Sequence, residues 1–224
     1  LNKGLIEYLS SFFTATKLES LNQILCQRTK HLTVVLEDVY QPQNASAVIR
    51  SCDCFGIQDL YVIEHKNKYK INPRVAMGAS KWVNVHRYSS LEMQNATSSC
   101  IHDLKQKGYQ IVATSPHHQQ CTPNTIDLSK PLAIFFGNEK EGLSDYVLSN
   151  ADHYLCIPMY GFTESLNISV SAAVVMKSLY ERLVQESQSW RLSEQEQEEL
   201  KLQWMSSSLQ HADVIIQEYY KTNA

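Results

Sequence analysis

Four short apolar runs do most to limit how this chain folds: LTVVL at 32–36, DLYVI at 59–63, YQIVAT at 109–114 and PLAIFF at 131–136. Each has the length of a strand and lacks the alternation of a strand with one wet face, so each belongs in a sheet covered on both sides. Between them the apolar spacing becomes helical. Val48, Ile49, Cys52 and Phe55 form one stripe in a segment that Pro42 opens and Gly56 stops, giving with its flanking strands a βαβ unit of about thirty residues. A second helix is predicted over 91–107 with Gly108 as its stop, and a shorter, more polar strand over 82–86. Strands alternating with helices predict the α/β class, a parallel sheet with helices on both faces.

The ends read differently. Over 4–28, Leu5, Tyr8, Leu9 and Phe12, then Leu18, Leu21, Ile24 and Leu25, recur at helical spacing with a break near 14–16. The last segment is acid-rich and helical. We therefore expect an N-terminal helical arm over 1–30, an α/β domain over 31–187 and a C-terminal helical extension over 188–224. The first residue is Leu1, which suggests a trimmed N-terminus.

Composition excludes more than it assigns. The net charge of −3 is not the basic balance usual for a nucleic-acid binder. Locally, though, HKNKYKINPR at 65–74 reads as a basic loop, whose Lys66, Lys68, Lys70 and Arg74 are candidates for RNA contact together with Arg28 and Lys30 of the helical arm, while much of the acid sits in SEQEQEEL at 193–200. RNA binding is permitted without being indicated. Six cysteines with no CxxC pair and no secretory segment ahead of them read as reduced thiols in a cytoplasmic protein. No apolar run approaches the ~20 residues of a membrane helix, so no membrane role is expected. The absence of GxGxxG removes a dinucleotide fold. His117, His118 and Cys121 lack a nearby fourth ligand, so no metal is expected.

Three loops stand out against this frame. A strand over 154–157 breaks at Pro158 and Gly161, passes through a polar turn at 163–167 and enters a long helix, whose Val170, Ala173, Val174, Tyr180, Leu183 and Val184 read as its core face. Ser165, Asn167, Ser169 and Ser171 at its entry are more than one cap needs. With seven glycines in the chain, Gly137 and Gly142 after the 131–136 strand mark a sharp turn or a close approach to a ligand, and a short helix follows at 144–150. After the first strand, Asn44 and Arg50 stand where a dinucleotide fold would place glycines.

In this order, Asn44-x5-Arg50, Gly137-Asn138-Glu139-x2-Gly142-Leu143, and Ile157-Pro158-Met159 with Ser165-Leu166-Asn167 resemble the three motifs of the SpoU/TrmH family of RNA 2′-O-ribose methyltransferases, over about residues 32–183. The resemblance implies a C-terminal deep trefoil knot (SPOUT-type), helical extensions at both ends, a homodimer, and S-adenosyl-L-methionine as methyl donor without a metal. By position it places Thr114, Gly137, Ile157, Met159 and Leu166 at the donor. It places Arg50, Asn44, Glu139, Ser165 and Asn167 at catalytic and substrate positions.

LEDVYQPQNASAVIRSCDCFGIQDLYVIE, PMYGFTESLNISVSAAV and the short helical ends are most similar to the tRNA-directed members. They imply methylation of guanosine 18 in the D-loop of tRNA. Methylation of ribosomal RNA, or non-catalytic RNA binding on the same fold, remain alternatives. The resemblance makes Arg50 the proton-handling residue, yet a guanidinium, which stays protonated in proteins, donates rather than accepts. Pairing with a substrate phosphate to steer and acidify the hydroxyl suits it better, with Glu139 orienting Arg50 or its neighbours. Glu164 departs from the glutamine of many relatives and is expected to face the loop interior or a dimer partner.

Overall fold

The computed structural model describes residues 2–90, 95–118, 120–186 and 190–223. The chain forms two compact units, one from Thr29–Trp190 and one from Leu1–Arg28 with Arg191–Ala224.

In the first unit six parallel strands, β1 (Leu32–Glu37), β2 (Asp59–Glu64), β3 (Asn84–Ser89), β4 (Gln110–Thr114), β5 (Leu132–Phe136) and β6 (His153–Leu155), lie in the order β3-β2-β1-β5-β4-β6. Val34 registers with Leu60 on one side and Ile134 on the other. Successive residues serve opposite faces. Leu32, Val34 and Leu36 of β1 join Val48, Ile49, Cys52, Met176 and Leu179 in one core, while Val35 joins Cys100, Ile101, Leu104 and Val147 in the other. This is why the central strands are continuous apolar runs. One face is covered by helices over Pro42–Cys54 and Ile168–Glu186, the other by helices over Ala96–Gln106 and Asp145–Asn150. Residues 91–94, where the sequence starts the third of these, lie outside the described residues.

Four expectations change. The long helix Ile168–Glu186 turns inward the stripe Ile168, Ala172, Val175, Met176, Leu179 and Leu183, whereas Val170 is 46% and Val174 38% exposed and Val184 is also exposed. This helix carries apolar side chains nearly all round, so two phases of the same periodicity compete, and the stripe chosen from sequence shares only Leu183 with the buried one. β6 ends at Leu155 rather than at Ile157, because Cys156 N–H turns to the Cys121 carbonyl (2.9 Å) and Pro158 offers no N–H. The polar strand lies over Asn84–Ser89 rather than 82–86, since Trp82 closes a 3-10 turn over Ala79–Lys81. The basic segment 65–80 is built rather than loose. It holds a short helix over Pro73–Ala76, Tyr69 packs on the core, and Asn72 N–H donates to Ser46 Oγ (2.8 Å).

In the second unit helices over Asn2–Ser10, Ala15–Leu25, Glu194–Ser208 and Ala212–Thr222 bury Leu5, Leu9, Leu21, Leu25, Trp204 and Met205. Ser193 and Glu196 close a capping box on the third of these. Arg28 is 1% exposed, with its guanidinium carbon 5.1 Å from the Trp204 ring centre. It is therefore removed from the candidates for RNA contact.

The phase of the long helix is testable. Leu179→Ala opens a cavity in a fully buried site and should cost about 2–5 kcal/mol, whereas Lys177→Ala on its exposed side should stay within about 0.5 kcal/mol. Chemical denaturation of the two variants measures both.

Candidate functional site

In a parallel sheet the place for a ligand is outside the C-terminal ends of the strands, where the chain order reverses. Here that point lies between β1 and β5, and a cavity of about 710 Å³ opens there. Its walls come from the segments that leave β1, β4, β5 and β6, and from the start of the long helix.

The Gly137–Gly142 loop is closed on itself. Asn138 and Gly142 exchange backbone hydrogen bonds (2.9 Å each), and Asn138 Oδ1 accepts from the Lys140 amide (2.9 Å). A Cβ at Gly137 would lie 2.2–2.3 Å from the backbone of Gly142 and Leu143, so glycine is required for this closure. Asn138 Nδ2 donates to the Asp38 carbonyl (2.7 Å), tying the loop to the end of β1.

Glu139 braces the approach to the helix that follows β1. The helix over Pro42–Cys54 has no side-chain cap of its own at Gln41. Glu139 accepts instead from Tyr40 N–H (2.9 Å), Gln41 N–H (3.3 Å) and Asn44 Nδ2 (2.7 Å), placing a carboxylate at the positive end of the helix. Burial opposes its ionisation, but these hydrogen bonds outweigh burial and hold the carboxyl below its ordinary range. Asn44 in turn accepts from Asn167 Nδ2 (3.2 Å), and Asn167 Oδ1 accepts from Ser169 N–H (2.9 Å) and Ser169 Oγ (2.7 Å). One chain of hydrogen bonds, Glu139–Asn44–Asn167, thus joins three sequence-distant loops.

Nine of the ten residues marked from sequence line this cavity: Thr114, Gly137, Ile157, Met159 and Leu166, with Asn44, Glu139, Ser165 and Asn167. Arg50 does not. It is exposed on the same helix as Asn44 but outside the cavity wall, and Glu139 contacts the helix start and Asn44 rather than Arg50. Glu164 is exposed and also lines the cavity, contrary to an inward-facing placement. Lys66 of the basic segment is paired with Glu141 (3.1 Å), whereas Lys68, Lys70 and Arg74 are exposed. Gln41, His117, His118 and Lys140 line the cavity without having been marked as ligand contacts. The two histidines directly follow the C-terminal end of a strand, a position that itself could have flagged them. Among the described residues, no three His, Cys, Asp or Glu side chains gather to hold a metal ion.

The family model described as the SpoU rRNA Methylase family matches residues 31–177. The tRNA (guanosine(18)-2'-O)-methyltransferase of Borreliella burgdorferi is 44% identical over 199 residues, 89% of this chain and 88% of that protein. The Aquifex aeolicus protein of the same name is 32% identical over 200 residues, 89% and 90%. The crystal structure of the A. aeolicus TrmH/SpoU tRNA modifying enzyme superposes with a TM-score of 0.75 at 30% identity, covering 87% of this chain and 98% of that one.

The Glu139 carboxylate carries a pH dependence. With its folded-state pKa depressed, its stabilisation is present above the ordinary glutamate value of 4.5 and is lost as pH falls through the lower folded value. Glu139→Gln should lower stability at neutral pH and flatten the acid limb of the stability curve below about pH 4.5, measured by denaturation across pH.

Proposed function

We propose, for a chain that belongs to the SpoU rRNA Methylase family, transfer of a methyl group from S-adenosyl-L-methionine to a ribose 2′-hydroxyl of tRNA, at guanosine 18. The protein is a tRNA (guanosine(18)-2′-O)-methyltransferase. The observation that carries this is the Glu139–Asn44–Asn167 hydrogen-bond chain at the rim of the cavity, joined to identity with proteins of that name along nearly the whole length.

The residues present fit the donor. The 710 Å³ cavity is of the size that takes a nucleoside-sized ligand. Its lining mixes Thr114, Gly137 and Ser165 with apolar residues such as Phe136, Leu155, Ile157 and Leu166. The donor supplies an already activated methyl group, so alignment and removal of one proton are what the protein must add. Asn44 and Asn167, held by Glu139 and by each other, present fixed amides at the rim, and Ser165 adds a hydroxyl beside them. Arg50 stands outside the cavity, where a phosphate approaching along the helix meets it. There it steers and acidifies the ribose hydroxyl rather than acting as a base.

We read the protein as a homodimer whose cleft is completed by the second copy. The exposed Val170 and Val174, on a helix that packs beside the Arg50 helix, support that reading. We also read the passage from β6, at the sheet edge, to the long helix on the opposite face as a deep trefoil knot. The compact unit Thr29–Trp190 supports a central methyltransferase domain with helical extensions, although a boundary at 187/188 falls among residues outside those described. No helix among the described residues is long and apolar enough to cross a membrane. A tRNA substrate makes the protein cytoplasmic in our reading.

Incubation with labelled donor and unmodified transcripts should place the 2′-O-methyl at guanosine 18 of tRNA and none on ribosomal RNA fragments; the reverse pattern overturns the assignment. Separately, Arg50→Ala should lower turnover by roughly 100-fold or more while calorimetry finds donor affinity unchanged. Equal losses in both would return Arg50 to the donor site.

A further inference from the structure

We propose that Tyr40 and Lys140 form a docking subsite for one nucleotide of the RNA, with a base stacked on the Tyr40 ring and a neighbouring phosphate held at Lys140 Nζ. The inference deepens the functional reading above and rests on it. The two residues come from different loops, one leaving β1 and one leaving β5, yet Lys140 Nζ lies 5.0 Å from the centre of the Tyr40 ring. Tyr40 is fixed from behind, because its N–H donates to Glu139 Oε2 (2.9 Å). The residue is nevertheless 54% exposed, with the ammonium over one face of its ring and the other face the one a base would use, and its hydroxyl has no hydrogen-bond partner among the described residues. An aromatic side chain held rigidly at the surface loses little entropy when a base stacks on it, and stacking tolerates any base.

The charge argument is independent. Lys140 makes no ion pair among the described residues, although acids flank it on both sides. Glu141 is engaged by Lys66, at 3.1 Å to each oxygen, and Glu139 by Asn44 and two backbone amides. Lys140, the one cation on this loop, is held by the Tyr40 ring and not by a carboxylate, so an incoming anion has no ion pair to displace, at a cavity wall Lys140 shares with Asn44 and Asn167. A chain of net charge −3 has to hold a polyanion through such local cations. A base and an adjacent phosphate satisfy both halves of the pair.

The test measures tRNA affinity, its salt dependence, donor affinity, oligomeric state and methyl transfer for the parent, Tyr40→Ala, Tyr40→Phe, Lys140→Ala and the double variant Tyr40→Ala/Lys140→Ala. Tyr40→Ala should weaken tRNA binding about tenfold, with Tyr40→Phe restoring most of it. Lys140→Ala should reduce the salt slope by about one. Both single variants should raise KM for tRNA more than they lower kcat. Parental affinity, slope and KM in both single variants overturn the subsite and leave the methyltransferase assignment standing. Loss of donor binding in step with loss of tRNA binding also overturns it, since the pair would then merely shape the cavity. So does a shifted oligomeric state, which would make this face an interface between copies. If the parent transfers no methyl to tRNA, the functional reading fails, and the affinity and slope of the variants on the same tRNA still decide the subsite.

Discussion

The Glu139 carboxylate is the contact on which the geometry of the site depends. The helix over Pro42–Cys54 starts without a side-chain cap at Gln41. Glu139 braces this start from the neighbouring loop, taking the amides of Tyr40 and Gln41, which lead into the helix, and the Asn44 side chain. Asn44 is thereby oriented so that its carbonyl oxygen faces Asn167. Deleting a partner of such a chain leaves several polar groups to find water, a larger penalty than the net worth of any one bond.

Two further carboxylates at the end of β1 work in the same way. Glu37 is buried and accepts from Ser144 N–H (2.8 Å), Ser144 Oγ (2.7 Å) and Thr97 Oγ1 (3.0 Å), fixing the starts of two helices on the far face. Asp38, in the left-handed region at φ 50°, accepts from His65 N–H (2.9 Å) and Asn67 N–H (2.8 Å). Acids at this edge therefore serve as acceptors for loop donors.

The strands were legible because burial on both faces leaves no room for polar alternation, as LTVVL and LAIFF show. The loops of the site were legible through residue types that only tight turns and ligand contacts need together. The buried face of the helix over Ile168–Glu186 was not, because Val170 and Val174 continue one apolar spiral while Ala172 and Val175 continue another. Periodicity fixes a helix but not which of two apolar faces meets the sheet. Nor does sequence reveal that Glu139 reaches Tyr40 and Gln41 rather than Arg50, a pairing set by how β5 lies beside β1.

The helical unit built from both chain ends has a consequence for synthesis. Leu5, Leu9, Leu21 and Leu25 share their unit with Trp204 and Met205, residues made only after the whole sheet. At about 5–20 residues per second on the ribosome, the early helices wait on the order of ten to thirty seconds for their partners. Throughout that interval their apolar stripes are uncovered, and short helices without tertiary contacts are marginal in water. These helices are made before the sheet and are among the last elements to find their native contacts.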